Sequence, residues 1–156
     1  MILLKLKYTK FQKLLEFITI IMLLLLWIYL IKSWGKLPGK IPGHYNASGI
    51  VDRWGNKNEI LLLPIMCVVL YIILTIVSFF PAVWNVPVEV SEENREYVYL
   101  NIKTMLILLK MQVIIIFSCI TYSQIKAKAL VIWFLPLTLI ILFGTIIYYI
   151  IKACTT

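Results

Sequence analysis

His44 is the single histidine of the chain, and Asn46, Asp52, Arg53 and Lys57 follow it within one short polar stretch, residues 37–57. Imidazole, carboxylate, guanidinium and amine brought this close raise three chemistries: acid–base catalysis, metal ligation and ligand recognition. A zinc site takes three or four His, Cys or carboxylate ligands. The stretch offers one His with Asp52, Glu59 close by and no Cys, so no metal is expected. No Ser or Cys nucleophile has a convincing base partner, so neither an enzyme nor a cofactor is expected. Recognition remains. In that reading His44 is a hydrogen-bonding or pH-sensitive contact, and Asn46 and Asp52 hold turns. Arg53 and Lys57 supply positive potential, and Trp54 anchors an apolar face, with Tyr45 and Trp34 as further aromatic groups at headgroup level.

A second polar pair, Lys110 and Gln112, lies well inside an apolar run. An ionisable group at that depth is a functional candidate, with snorkelling toward a boundary near Met105 as the plainer expectation. Glu96, Lys103 and Lys110 recur at intervals of seven and therefore share one helical face.

The elements that must carry these residues are dictated by composition. Of the 156 residues, 62% are hydrophobic and 14% charged, and the mean hydropathy is +0.96. A soluble domain averages roughly half apolar and a quarter charged, so this chain has too few charges to clothe a water-facing surface. Four apolar runs, each near the roughly 20 residues needed to cross the hydrocarbon, predict an all-α integral membrane protein. The expectation is one membrane domain, residues 1–156, built as a four-helix bundle. Its helices fall at about 14–31, 60–80, 92–122 and 129–151, with one ordered polar loop between the first two. The partner this dictates is the lipid bilayer. The net charge of +8 does not indicate nucleic acid, because the basic residues flank apolar runs where they meet anionic headgroups.

Local signals refine the plan. The first run is long for a signal peptide and lacks a small-x-small site after it, so it is read as a retained helix. Glu16 near its entrance is expected to pair with Lys13 one turn away, or to snorkel. Pro64 marks a helix start, and Pro81 and Pro87 hold residues 82–88 extended. Ser91 is read as the cap of the third helix, and Pro136 as a kink in the fourth. Cys67, Cys119 and Cys154 show no metal or disulfide spacing and are expected to be buried free thiols. With the N-terminus inside, Lys5, Lys7, Lys10, Lys13, Arg95, Lys103 and Lys152 face the cytoplasm. Lys32, Lys36, Lys40, Arg53, Lys57, Lys126 and Lys128 then lie opposite, a tie. The lysines before the first helix favour both termini inside.

The stretch also resembles a known family. Pro38, Ile41, Pro42, His44, Tyr45, Asn46, Gly49, Asp52, Trp54, Gly55 and Lys57 fall on a P-x-x-I-P-x-H-[FY]-N-x-x-G-x-x-D-x-[WF]-[GS]-x-K pattern. That pattern is the loop of domain of unknown function 1648, a family of bacterial membrane proteins that includes SdpI-like members. Pro87 and Ser91 through Asn94 match a later proline and T/S-E-E-N segment of its four-helix members. The resemblance implies a small multi-pass protein of the cell membrane. Its better-understood, larger members imply immunity against a secreted toxin and signalling by sequestering a repressor. The possible partners are then a peptide toxin or a regulatory protein. Two readings of the polar stretch stay open: a surface that binds a peptide at the membrane interface, and a lid that only caps the helix bundle.

Overall fold

The computed structural model describes residues 6–86 and 88–155; Lys5 and Pro87, used in the reading above, lie outside the described residues. Four helices dominate: α1 (Lys10–Trp34), α2 (Leu62–Val77), α3 (Arg95–Ile125) and α4 (Phe134–Cys154). All four, α2 together with the short turn that leads into it, are long and apolar enough to cross a membrane, which makes the chain a multi-pass membrane protein. Helix α3 is the hub against which α1, α2 and α4 each pack. Gln12 reaches Thr104, and Glu16 reaches Lys110 further along both helices, so α1 and α3 run parallel. Residues near both described ends of the chain meet α3 at one end of the bundle: Lys103 donates to the Leu6 carbonyl and Asn101 to that of Tyr149.

The helix limits are set by local chemistry. Helix α1 starts earlier than the apolar run suggests because Thr9 and Gln12 form a reciprocal capping box. Helix α2 is entered through a 3-10 turn, Lys57–Leu61, capped by the same device between Asn56 and Glu59. Pro64 is thus the third residue of α2, in the first turn where proline is best tolerated. Pro136 occupies the same position in α4, so it begins that helix instead of kinking it. Ser91 Oγ accepts from the Asn94 N–H as a cap would, yet regular helix starts only at Arg95. After Phe80 the chain makes a short 3-10 turn, Pro81–Val83, in place of a wholly extended segment. Helix α3 ends with Ala127 at φ 48° and a Lys128 N–H bond back to the Ser123 carbonyl, the left-handed closure that satisfies terminal carbonyls.

The all-α expectation is corrected between α1 and α2. Strands β1 (Lys40–Tyr45) and β2 (Val51–Asn56) pair antiparallel as a hairpin. Their register runs from Lys40 opposite Asn56 to Tyr45 opposite Val51, with irregularities on either side of His44. Those bulges break the two-residue alternation by which a strand is recognised.

Two apolar layers fill the bundle. Beneath the hairpin, Leu30, Leu37, Ile41 and Ile60 pack with Trp27 and Trp34. Deeper, Leu26, Cys67 and Ile114 pack with Leu23, Tyr71 and Phe117. Large apolar side chains cover the outside, Leu24 and Ile140 among them, as lipid-facing surfaces must. Of the three thiols only Cys67 is buried; Cys119 and Cys154 face outward.

Candidate functional site

Asn46 builds the tip of the hairpin. Its side-chain oxygen accepts from the N–H groups of Ser48 and Ile50, both at 3.0 Å, while its own N–H donates to the Ile50 carbonyl at 2.9 Å. Gly49 completes the turn at φ 79°, a conformation that favours glycine. A Cβ there would also strike the Leu130 carbonyl. The tip is tied to the connector between α3 and α4 by the Leu130 N–H, which donates to the Gly49 carbonyl at 2.9 Å.

The charged side chains of the hairpin engage one another. His44 Nδ1 and Asp52 Oδ1 lie 2.6 Å apart across the strands. Arg53 donates to Glu59 at 2.9 Å and to the Gly43 carbonyl at 2.8 Å. The Lys57 ammonium sits 4.6 Å from the centre of the Trp34 ring, a cation–π contact. Gly55 is small because the Glu59 carboxylate occupies the space a Cβ would take. Trp54 faces outward and is 53% exposed.

Between the hairpin and the helices lies a cleft of about 710 Å³. His44, Asn46, Arg53 and Glu59 line its polar side; Leu62, Leu63, Ile120, Leu130, Phe134 and Leu135 line its apolar side. Of the residues singled out in the sequence, the cleft gathers His44, Asn46 and Arg53, whereas Asp52, Trp54 and Lys57 stand outside its lining. Tyr45, read in the sequence as an aromatic at headgroup level, also lines it, and so does Gln124, which sequence reasoning passed over. Gln124, only 6% exposed, donates from Nε2 to the Pro42 carbonyl at 3.0 Å, and its Oε1 is buried without a partner among the described residues. The Tyr45 hydroxyl is likewise buried and unpaired, and burial pushes its phenol up to about 12. Gln124 had a signal: Lys103, Lys110, Phe117 and Gln124 continue the interval of seven along α3.

A second polar cluster lies within the membrane-spanning part. Lys110 is 1% exposed and does not snorkel. Its ammonium donates to both Glu16 oxygens, at 2.6 and 2.8 Å, and to Thr75 Oγ1 at 2.9 Å. The Tyr71 hydroxyl donates to the same carboxylate at 3.2 Å, and its ring lies 4.4 Å from the ammonium. Glu16 therefore pairs with Lys110 from α3, not with Lys13. Tyr71, Thr75 and Ser78, spaced four and three apart, put one polar stripe on an otherwise apolar α2. The stripe continues to the end of the bundle, where Ser78 and the Tyr8 hydroxyl lie 3.1 Å apart and Lys103 sits 3.6 Å from the centre of the Tyr8 ring. Gln112 donates to Thr145 at 2.6 Å and so fastens α4 to α3. This cluster joins helices; the cleft has room for a ligand.

The class defined by this architecture is a multi-pass membrane protein with a folded hairpin at one end. Residues 21–68 match the family model described as "Domain of unknown function (DUF1648)", a likeness confined to that stretch. The match holds the whole hairpin and stops within α2, short of Ser91 to Asn94. An uncharacterized protein of Archaeoglobus fulgidus is 29% identical over 94 residues, covering 51% of this chain and 51% of its own. The chain thus spans about half the length of that curated relative. No solved structure matches it.

Proposed function

We propose that this chain is a binding module that takes an apolar-faced peptide at the membrane interface, in the cleft beneath the hairpin. One observation carries the reading: a cleft of about 710 Å³ with a polar wall from the hairpin and an apolar wall from the first turns of α2 and α4. Ligand sites of roughly 300–1,000 Å³ combine apolar lining with a few placed polar groups in this way. The helix starts set the cleft at the level where a bilayer passes from hydrocarbon to headgroup, the depth at which an amphipathic peptide lies. The role is binding without catalysis, and its biological forms are immunity to a secreted peptide toxin or signalling through a regulatory protein. The lysines clustered at and just before the start of α1 favour both termini inside, which turns the hairpin outward, toward a secreted peptide.

Expression in a host sensitive to a secreted membrane-active peptide tests this directly. Survival should rise, and Leu63→Glu and His44→Ala should each abolish the gain without lowering membrane abundance. If both variants protect as well as the parent, the peptide site is lost as an explanation. A second reading, a hairpin that only caps the bundle, is favoured by the pairing of His44 with Asp52 and Arg53 with Glu59. It predicts that those variants leave survival unchanged.

A further inference from the structure

We infer that Asp52, standing outside the cleft, fixes the hydrogen-bonding polarity of His44 within it. Held by that carboxylate, the neutral ring presents Nε2 as a lone pair, which selects a peptide bearing a proton donor at that point. This rests on the peptide reading above and adds the kind of group the peptide must carry. His44 Nδ1 lies 2.6 Å from Asp52 Oδ1. A carboxylate only accepts, so Nδ1 is the nitrogen that carries hydrogen. In the neutral ring Nε2 is then bare, because the bond made by one nitrogen decides the state of the other. A free histidine side chain favours the opposite tautomer, so Asp52 imposes this one. His44 lines the cleft with its side chain 62% exposed, and Nε2 has no partner among the described residues.

Among the described residues, every other side-chain acceptor of the polar wall is committed or closed off. Glu59 Oε1 takes the Asn56 N–H and Oε2 takes Arg53. Asn46 Oδ1 takes the N–H groups of Ser48 and Ile50, which leaves its Nδ2 as a donor. Arg53 has donors only. Gln124 Oε1 and the Tyr45 hydroxyl are unpaired, but burial seals them from the cleft. A ligand group that only accepts therefore finds partners in Arg53 and Asn46 and sets lone pair against lone pair at His44. One N–H or O–H at that point satisfies the ring.

Because the chain has a single histidine, isotope-labelled histidine and nitrogen NMR read its tautomer directly. In the full chain in phosphatidylcholine nanodiscs, at the alkaline end of the ring's titration, the proton should sit on Nδ1. Asp52→Ala should move it mainly to Nε2 in a fold that is kept, since the pair is exposed. Two dye-labelled pools of acetylated, amidated apolar hexapeptides then probe the cleft. One carries a central tryptophan, the other a tryptophan methylated on the indole nitrogen, which has no N–H. The first pool should bind the unaltered chain about fivefold more tightly, the scale of one hydrogen bond. Asp52→Ala should erase that preference while both pools still bind. A proton on Nε2 in the unaltered chain overturns the polarity assigned to His44. Equal binding of the two pools, with Leu63→Glu abolishing both, does the same and leaves the peptide site standing. So does an equal loss of both pools in Asp52→Ala with the preference kept, which makes Asp52 merely structural. Failure of both pools to bind, or binding indifferent to Leu63→Glu, overturns the peptide site and the role of His44 together.

Discussion

Two ion pairs of similar geometry stand in opposite settings. Arg53 and Glu59 meet at 2.9 Å on the hairpin with side chains 56% and 39% exposed; Lys110 and Glu16 meet at 2.6 Å with side chains 1% and 15% exposed. Water solvates the first pair whether or not it forms, and surface pairs contribute a median of about 0–1 kcal/mol. Nothing solvates the second if it breaks. Removing one partner of a buried pair typically destabilises by about 3–5 kcal/mol, because the other charge is left uncompensated. Distance alone therefore says little about worth: the hairpin pairs shape a surface, whereas the inner pair fixes the register of three helices.

Substitutions can break that comparison or sharpen it. The largest effect is expected for Lys110→Met, which strands Glu16. It should lower stability by about 3–5 kcal/mol in detergent unfolding followed by circular dichroism. Combining it with Glu16→Leu should recover most of the loss, since neither charge then remains; a double variant as unstable as the single would show that helix register depends on the bonds themselves. Next, Gly49→Ala forces a side chain into a left-handed turn against the Leu130 carbonyl. A loss of about 1–3 kcal/mol is expected, seen as faster amide exchange at residues 46–50. Asp52→Ala should cost about 1 kcal/mol or less, because its His44 partner is exposed. A larger loss would place the outer pair alongside the inner one.

The smallest effect is alkaline. The Tyr45 phenol, raised to about 12 from 10, favours the neutral form in the folded protein. Its stabilisation is complete below pH 10 and is lost as pH rises through about 12. The ultraviolet titration of the parent minus that of Tyr45→Phe should show one phenol ionising near pH 12, and a difference curve centred near 10 would refute its burial.

The membrane class was legible because 62% hydrophobic composition leaves a chain few alternatives, and the four runs appear wherever 20 apolar residues adjoin. The polar stretch was legible as ordered through its turn residues, and Asn46 holds its turn as expected. Its strands were not legible, since Pro42, Gly43 and two register irregularities erase alternation over six-residue elements. The partner of Lys110 was hidden for another reason. Glu16 lies 94 residues away, and pairing across that separation leaves no mark on either neighbourhood. Only the spacing of seven from Lys103 through Lys110 placed the lysine on a face, and the buried positions Lys103, Ile107, Lys110, Ile114, Thr121 and Gln124 confirm that face as the seam of α3. Gln12, whose spacing from Thr9 is a helix-start signature, moved the start of α1 four residues upstream of the apolar run.

The bond from the Leu130 N–H to the Gly49 carbonyl carries a consequence in time. A chain leaves the ribosome from its N-terminus, and early elements fold first. The hairpin is synthesised before α2, yet residue 130 emerges only after all of α3. Until then the Gly49 carbonyl lacks its partner and one wall of the cleft, Leu130, Phe134 and Leu135, does not exist. A hairpin formed early thus waits, half-walled, while two further helices enter the bilayer. The cleft is assembled last although its most recognisable residues are made first, so a nascent protein cannot engage a ligand there before its fourth helix begins.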